Sequence, residues 1–157
     1  MSLGSILLIM ATLTLPYNYT PRDYQLPFLR AMDNGCKRAV KVWHRRAGKD
    51  KTDLNYMVKR AAQQRGYYPY FFPTTAMGRK VLWDGMDKSG FKFIDHIPGS
   101  LIGNKNNTEM KVTLKNGSII QIIGTDNIEN VGVNPIGCNF SEFSLQNQRA
   151  WDLIRPI

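Results

Sequence analysis

The chain has 157 residues, enough for one domain with a core of its own. Lys and Arg outnumber Asp and Glu by 21 to 12, a formal charge of +9. That excess favours polyanions (nucleic acid, nucleotides or an anionic surface) without choosing among them. The two cysteines, Cys36 and Cys138, lie far apart without metal-ligand spacing, which argues against a zinc site or a disulfide framework and fits reduced thiols in a cytosol. The histidines are His44 and His96, and no G-x-S-x-G elbow supports serine chemistry.

In chain order, the apolar run over residues 3–15 is too short to span a bilayer. It has the length of a signal-peptide core but lacks a basic start, and a buried strand or a start-site artefact is the plainer reading. Residues 1–14 are set apart from a single domain over 15–157. Thr20-Pro21-Arg22-Asp23 predicts a helix start, with Thr20 as cap, and Tyr24, Phe28 and Met32 recur at helical spacing up to Gly35. Pro27 predicts a kink there. Residues 38–44, "RAVKVWH", read as a short strand. Residues 49–66 then read as a helix with Leu54, Met57, Val58, Ala61 and Ala62 on one face and Gly66 at its end. "YYPYFFPTT" predicts a second strand, and Thr74 or Thr75 caps a helix that turns Met77, Val81 and Leu82 inward. "MKVTLKNGSIIQIIGT" predicts a β-hairpin about Asn116-Gly117. "GCNFSEFS" predicts a short strand and "LQNQRAWDLIRP" a helix interrupted by Pro156.

Alternating strands and helices, with a hairpin inserted, predict an α/β domain with a mainly parallel sheet. Ligands of such sheets bind beyond the carboxyl ends of the strands. Three polar clusters fall at such ends: the loop after Val42, Pro73-Thr74-Thr75, and Ser141-Glu142.

The first cluster almost spells the phosphate-binding motif G-x-x-x-x-G-K-[ST]. Trp43 stands in place of the first glycine and Asp50 in place of the hydroxyl residue. What a polyphosphate requires is still present: Gly48 for close backbone approach, Lys49 for charge, helix amides from Asp50 onward, and Arg45 and Arg46 beside them. The later strand ends in Ser141-Glu142, where an Asp followed by a catalytic Glu is usual. Hydroxyl and carboxylate have therefore traded places, and Asp50 with Ser141 would still offer Mg²⁺ one oxygen of each kind. Glu142 is then the candidate base or orienter of the attacking water. Taken singly, Glu142 fits a surface or cap residue and Arg45-Arg46 a solvated turn.

Four stretches resemble the ATPase domain of tailed-phage terminase large subunits, the motors that package DNA into procapsids. "LPYNYTPRDYQLPFLRAM" resembles their adenine-recognition segment and "AVKVWHRRAGKDKTDLNYM" their deviant Walker A. "YPYFFPTTAMGRKVLWDGM" resembles the segment after the next strand. "NGSIIQIIGTDNIENVGVNPIGCNFSEFSLQNQRAWDLIRPI" resembles the stretch through Walker B. The likeness covers roughly residues 15–157. It implies a P-loop NTPase-like three-layer sandwich that hydrolyses ATP with Mg²⁺. By the same resemblance Gln25 reads adenine, with Tyr17 or Tyr19 near the ring. Residues 45–51 (Arg45, Arg46, Ala47, Gly48, Lys49, Asp50, Lys51) hold the nucleotide, Asp50 and Ser141 the metal, and Glu142 and Lys49 serve catalysis. The arginine finger is Arg46 in cis, or Arg79 or another arginine acting on a neighbouring subunit. Partners implied are double-stranded DNA, a terminase small subunit, a portal protein and further copies of the chain. The setting implied is the host cytoplasm, at the procapsid portal.

The family's coupling motif and nuclease domain do not follow Walker B in this sequence. The expectation is therefore a sheet incomplete at the C-terminus, lacking a strand between the P-loop and Walker B strands, with weak activity in isolation. The competing readings are another P-loop motor such as a helicase-like ATPase, a basic nucleic-acid-binding module without hydrolysis, and an inactive prophage remnant.

Overall fold

The computed structural model describes residue 15, residues 17–127 and residues 134–154. The apolar segment 1–14, part of the stretch leading to Ser141-Glu142 (residues 128–133) and the Pro156 interruption lie outside the described residues.

Two elements open the fold. Helix α1 (Leu26–Asp33) follows a 3-10 turn over Asp23–Gln25, and helix α2 (Lys49–Gln63) follows the loop at residues 45–48. The start of α1 differs from the expectation. Its leading turn is capped at Arg22, whose amide donates to the Gln25 side-chain oxygen at 2.9 Å, so Thr20 lies outside. Pro27 falls in the first turn of α1, where no amide donor is needed, and it introduces no break. Gly35, at φ +91°, closes the helix in the left-handed conformation that glycine adopts without strain.

Strand β1 (Tyr67–Phe72) leads into α3 (Thr75–Gly78), which continues as a wider π-type turn to Trp83. Thr74 is the cap, its side chain accepting from the Met77 amide. After two short 3-10 turns come β2 (Ile102–Asn106), β3 (Lys111–Leu114) and β4 (Ile119–Gly124), then β5 (Asn139–Phe140) and α4 (Gln148–Ile154). The sheet order is β2-β3-β4-β1-β5. β1 pairs in parallel with β4 on one side and β5 on the other, while β3 runs antiparallel to both β2 and β4. Four of the five strands thus share one direction. The hairpin about Asn116-Gly117 is present, but it is not an insertion: β4 is a central strand of the main sheet.

Alternation along β1 assigns its faces. Tyr68, Tyr70 and Phe72 join Leu54, Met57, Val58 and Ala61 of α2 with Leu82, Ile120 and Ile122 in the larger core. Phe71 points the other way and packs with Ile123, Ala150 and Ile154 of α4. Helices cover both sheet faces, an α/β sandwich. Cys36 and Cys138 are free thiols, and burial pushes the Cys138 thiol up to about 11.

Residues 38–44 do not form the expected strand. Among the described residues the segment joins no β-ladder, and Val40 and Val42 are each 92 % exposed. The alternation that suggested a strand is real, because Lys41 and Trp43 turn inward. The Lys41 ammonium pairs with Asp53 and lies over the rings of Phe28, at 4.2 Å, and Trp43, at 5.1 Å. A strand exists only with a hydrogen-bonded neighbour. Among the described residues no strand pairs with this segment, and β5 is the sheet's terminal strand on that side.

His96 is fully buried behind the start of α2. Its Nδ1 lies 3.1 Å from the Tyr17 carbonyl. Its Nε2 has no hydrogen-bond partner and faces Asp87 Oδ2 at 3.6 Å, an oxygen that also receives the Lys51 ammonium at 2.7 Å. Burial holds the imidazole below its usual value, so the folded state binds fewer protons than the unfolded chain as the pH falls. Stability from this site is therefore present above about pH 6.5 and lost below it. The melting temperature is expected to fall between about pH 7 and pH 5. His96→Asn should flatten that slope in a pH series of thermal melts.

Candidate phosphate-binding site

The loop before α2 is built from its surroundings inward. Arg45 and Arg46 form an exposed turn, with Arg46 at φ +69°. Ala47 is fully buried, and its amide bonds the His44 carbonyl at 3.2 Å. Its own carbonyl accepts from Gln25 Nε2 at 2.9 Å and from the Tyr24 hydroxyl at 2.8 Å. Gly48, at φ +79°, turns the chain into α2, and an added Cβ there would crowd Gln25 Nε2 at 3.1 Å. From below, Thr52 Oγ1 donates to the Gly48 carbonyl at 2.9 Å.

At the start of α2 the first amides have no carbonyl within the helix to bond. Aligned peptide dipoles make this end positive and favour an anion by roughly 0.3–1 kcal/mol. The sequence instead places Arg45, Arg46, Lys49 and Lys51 there against one acid within that turn, Asp50. Carboxylates from elsewhere in the fold answer part of this charge, Glu142 at Lys49 and Asp87 at Lys51.

The second half of the site comes from the end of β5. The Ser141 amide still bonds the Phe71 carbonyl at 2.9 Å, and the chain then turns sharply at Glu142, in the left-handed region at φ +51°. For a residue with a Cβ that conformation costs about 1–2 kcal/mol. Gln146 holds the turn from behind: its Nε2 donates to the carbonyls of Ser141 at 2.7 Å and Phe71 at 3.0 Å, and its Oε1 accepts from Thr125 at 2.8 Å.

The two halves meet twice. Lys49 Nζ lies 3.1 Å from Glu142 Oε1. Ser141 Oγ donates to Asp50 Oδ1 at 2.8 Å, an oxygen that also accepts the buried Tyr70 hydroxyl at 2.8 Å. Burial, reinforced by the Asp50 carboxylate, pushes the Tyr70 phenol well above its usual value, so it stays a donor. The Lys49–Glu142 pair is partly exposed, at 28 % and 39 % of the side chains, and is worth about 0–1 kcal/mol. So weak a contact would yield easily to a competing anion. Asp50 and Ser141 together form a hard-oxygen donor set, and Mg²⁺ bound with a nucleotide needs only one or two such protein ligands. Among the described residues no group of three or more His, Cys, Asp or Glu could hold a metal on its own.

Other expected site residues are placed differently. Gln25 is 2 % exposed with both ends of its amide engaged, Oε1 accepting from the Tyr19 hydroxyl and the Arg22 amide, and Nε2 donating to Ala47. In this arrangement it braces the loop, and adenine would have to compete for it. Tyr19, not Tyr17, stands at the loop. Tyr17 lines a separate cleft of about 370 Å³ with Asn18, Phe91, Ile94 and Lys105. The Lys51 ammonium is directed to Asp87. Thr75 is bound to Asp126 and Thr74 caps α3, so the Pro73-Thr74-Thr75 cluster is occupied with local structure. Arg79 donates to the carbonyls of Asn107 and Thr108. Tyr70 and Gln146 escaped the sequence reading. A tyrosine in the middle of a buried strand was the available signal for Tyr70, since its hydroxyl requires a partner.

No family model matches the chain, and neither a curated protein nor a solved structure matches it. Among the described residues no helix is long and apolar enough to cross a membrane.

Proposed function

We propose that this chain binds a nucleoside triphosphate, ATP with Mg²⁺, on the loop at residues 45–50 and hydrolyses its terminal phosphate. The observation that carries the reading is the double contact between distant motifs: Lys49 with Glu142, and Asp50 with Ser141. Ninety-odd residues of sequence separate each pair, and both contacts join the amino end of α2 to the turn at the carboxyl end of β5.

In this reading Lys49 leaves Glu142 for the phosphates, and the amides at the start of α2 bind phosphate oxygens. Asp50 and Ser141 would hold Mg²⁺, which supplies charge neutralisation on the phosphates. Glu142, freed from Lys49, orients a water and accepts its proton as the water oxygen bonds the γ-phosphorus and the bond to the ADP oxygen breaks. Tyr70 keeps Asp50 in place, and Gln146 fixes the turn that carries Glu142. Arg46, exposed beside the loop, is the candidate for charge stabilisation in cis.

The likeness of four stretches to terminase ATPase domains supports a role in a DNA-packaging motor. Double-stranded DNA, a small subunit, a portal and further copies of the chain would be its partners, in a bacterial host cytoplasm. The +9 charge equally favours a passive nucleic-acid-binding module. Lys49→Ala separates the two. Calorimetry is expected to show loss of ATP binding by at least tenfold, while a filter-binding assay shows DNA affinity nearly unchanged. Unaltered ATP binding by the variant would exclude the loop as the phosphate site.

A further inference from the structure

Beside the loop, Tyr24, Val42, Trp43, His44 and Ala47 line a cleft of about 180 Å³. Ala47 belongs both to this cleft and to the phosphate loop. Two aromatic walls meet in it, the Tyr24 and Trp43 rings, 5.7 Å apart and at 89° to one another. Phe28 stands edge-on to Trp43 at 6.2 Å and fixes that ring from behind. The Tyr24 hydroxyl is spent on the Ala47 carbonyl, which leaves the ring itself, 44 % exposed, as the surface offered to a ligand.

The indole at position 43 packs with Tyr24, Phe28 and the Lys41 ammonium, 5.1 Å from its ring, but none of these contacts serves the phosphate motif. The phosphate motif asks for glycine there, and a bulky ring contributes nothing to cradling phosphate. We infer that Trp43 is the base-stacking platform of the nucleotide site: the purine of the bound triphosphate lies against Trp43 in the cleft walled by Tyr24, with its phosphates reaching back over Ala47 and Gly48 to Lys49. The inference rests on the triphosphate reading of the loop. It assigns base recognition to Trp43 and Tyr24 and leaves Gln25 as the brace that ties Tyr19, Arg22 and Ala47 together. A flat aromatic wall without a converging set of free donors and acceptors selects purines over pyrimidines by stacking area, and discriminates adenine from guanine poorly.

The test compares magnesium-ATP with magnesium-tripolyphosphate, which carries the same phosphates without a base. Wild-type chain is expected to bind ATP more tightly than tripolyphosphate, and ATP alone should quench tryptophan fluorescence. Trp43→Ala should weaken ATP binding roughly tenfold or more while leaving tripolyphosphate binding unchanged. Trp43→Phe should retain part of the ATP affinity and lose the quench. Retained tripolyphosphate binding shows that the variants are folded. Should Trp43→Ala disrupt the fold, the wild-type quench and its loss in Trp43→Phe decide the matter. Equal ATP affinity in wild type and Trp43→Ala, or a quench that survives in Trp43→Phe, would overturn the stacking assignment and leave the phosphate site standing. Failure of wild-type chain to bind either compound would overturn the phosphate site itself, and this inference with it.

Discussion

Glu142→Gln is expected to lower ATP turnover by about two to four orders of magnitude while ATP binding stays as tight or becomes tighter. Glutamine keeps the length and shape of the side chain, so the bonds of Gln146 to the turn are undisturbed. Its neutral amide cannot take up the proton of an attacking water. It also releases Lys49, which the wild-type carboxylate holds at 3.1 Å, and a free ammonium meets phosphate without first giving up a partner. The ion pair is too exposed for its loss to change stability by more than about 1 kcal/mol. Single-turnover hydrolysis and equilibrium binding, measured on the same preparation, separate the two effects. A variant that hydrolyses ATP like wild type would remove Glu142 from the chemistry.

The largest effect on stability is expected at Tyr70, which is fully buried, stacked at 5.2 Å on Phe72 and bonded to Asp50. Tyr70→Ala should cost about 3–5 kcal/mol, combining lost burial with a cavity between α2 and the sheet. That is a large part of the ~5–15 kcal/mol by which such domains are stable. Tyr70→Phe keeps the ring and removes only the donor, so it should cost about 1–3 kcal/mol. The lower end is favoured because Ser141 still donates to the same Asp50 oxygen. Denaturant titrations of both variants give the ring and hydroxyl contributions separately. A Tyr70→Phe protein as stable as wild type would mean that the hydroxyl does not hold Asp50.

The sequence carried much of this structure because several elements are decided locally. α2 was announced by its apolar stripe, four members of which are buried, and the hairpin by Asn-Gly between alternating apolar residues. Strand β2 escaped notice because "IGNKN" is polar and sits at an edge with neither face buried, which leaves no alternation to read. Residues 38–44 failed in the opposite sense. Their alternation places Lys41 and Trp43 inward, yet pairing depends on a neighbour, which local pattern does not reveal. Similarly, the hairpin was recognisable while its place beside β1 was not, since strand order is a non-local property. In the site, motif spacing brought Lys49, Asp50, Ser141 and Glu142 forward together. Gln25 and Tyr17 were drawn from resemblance, and the packing around each gives it other work: Gln25 is closed in by three partners, and Tyr17 lines the cleft beyond His96.

The most direct measurement is a crystal structure of the chain with Mg²⁺ and a non-hydrolysable ATP analogue. The account predicts the γ-phosphate between the Lys49 ammonium and the Glu142 carboxylate, the ion pair between them opened, and the metal beside Asp50 and Ser141. An analogue bound elsewhere, with Lys49 and Glu142 still joined, would contradict it.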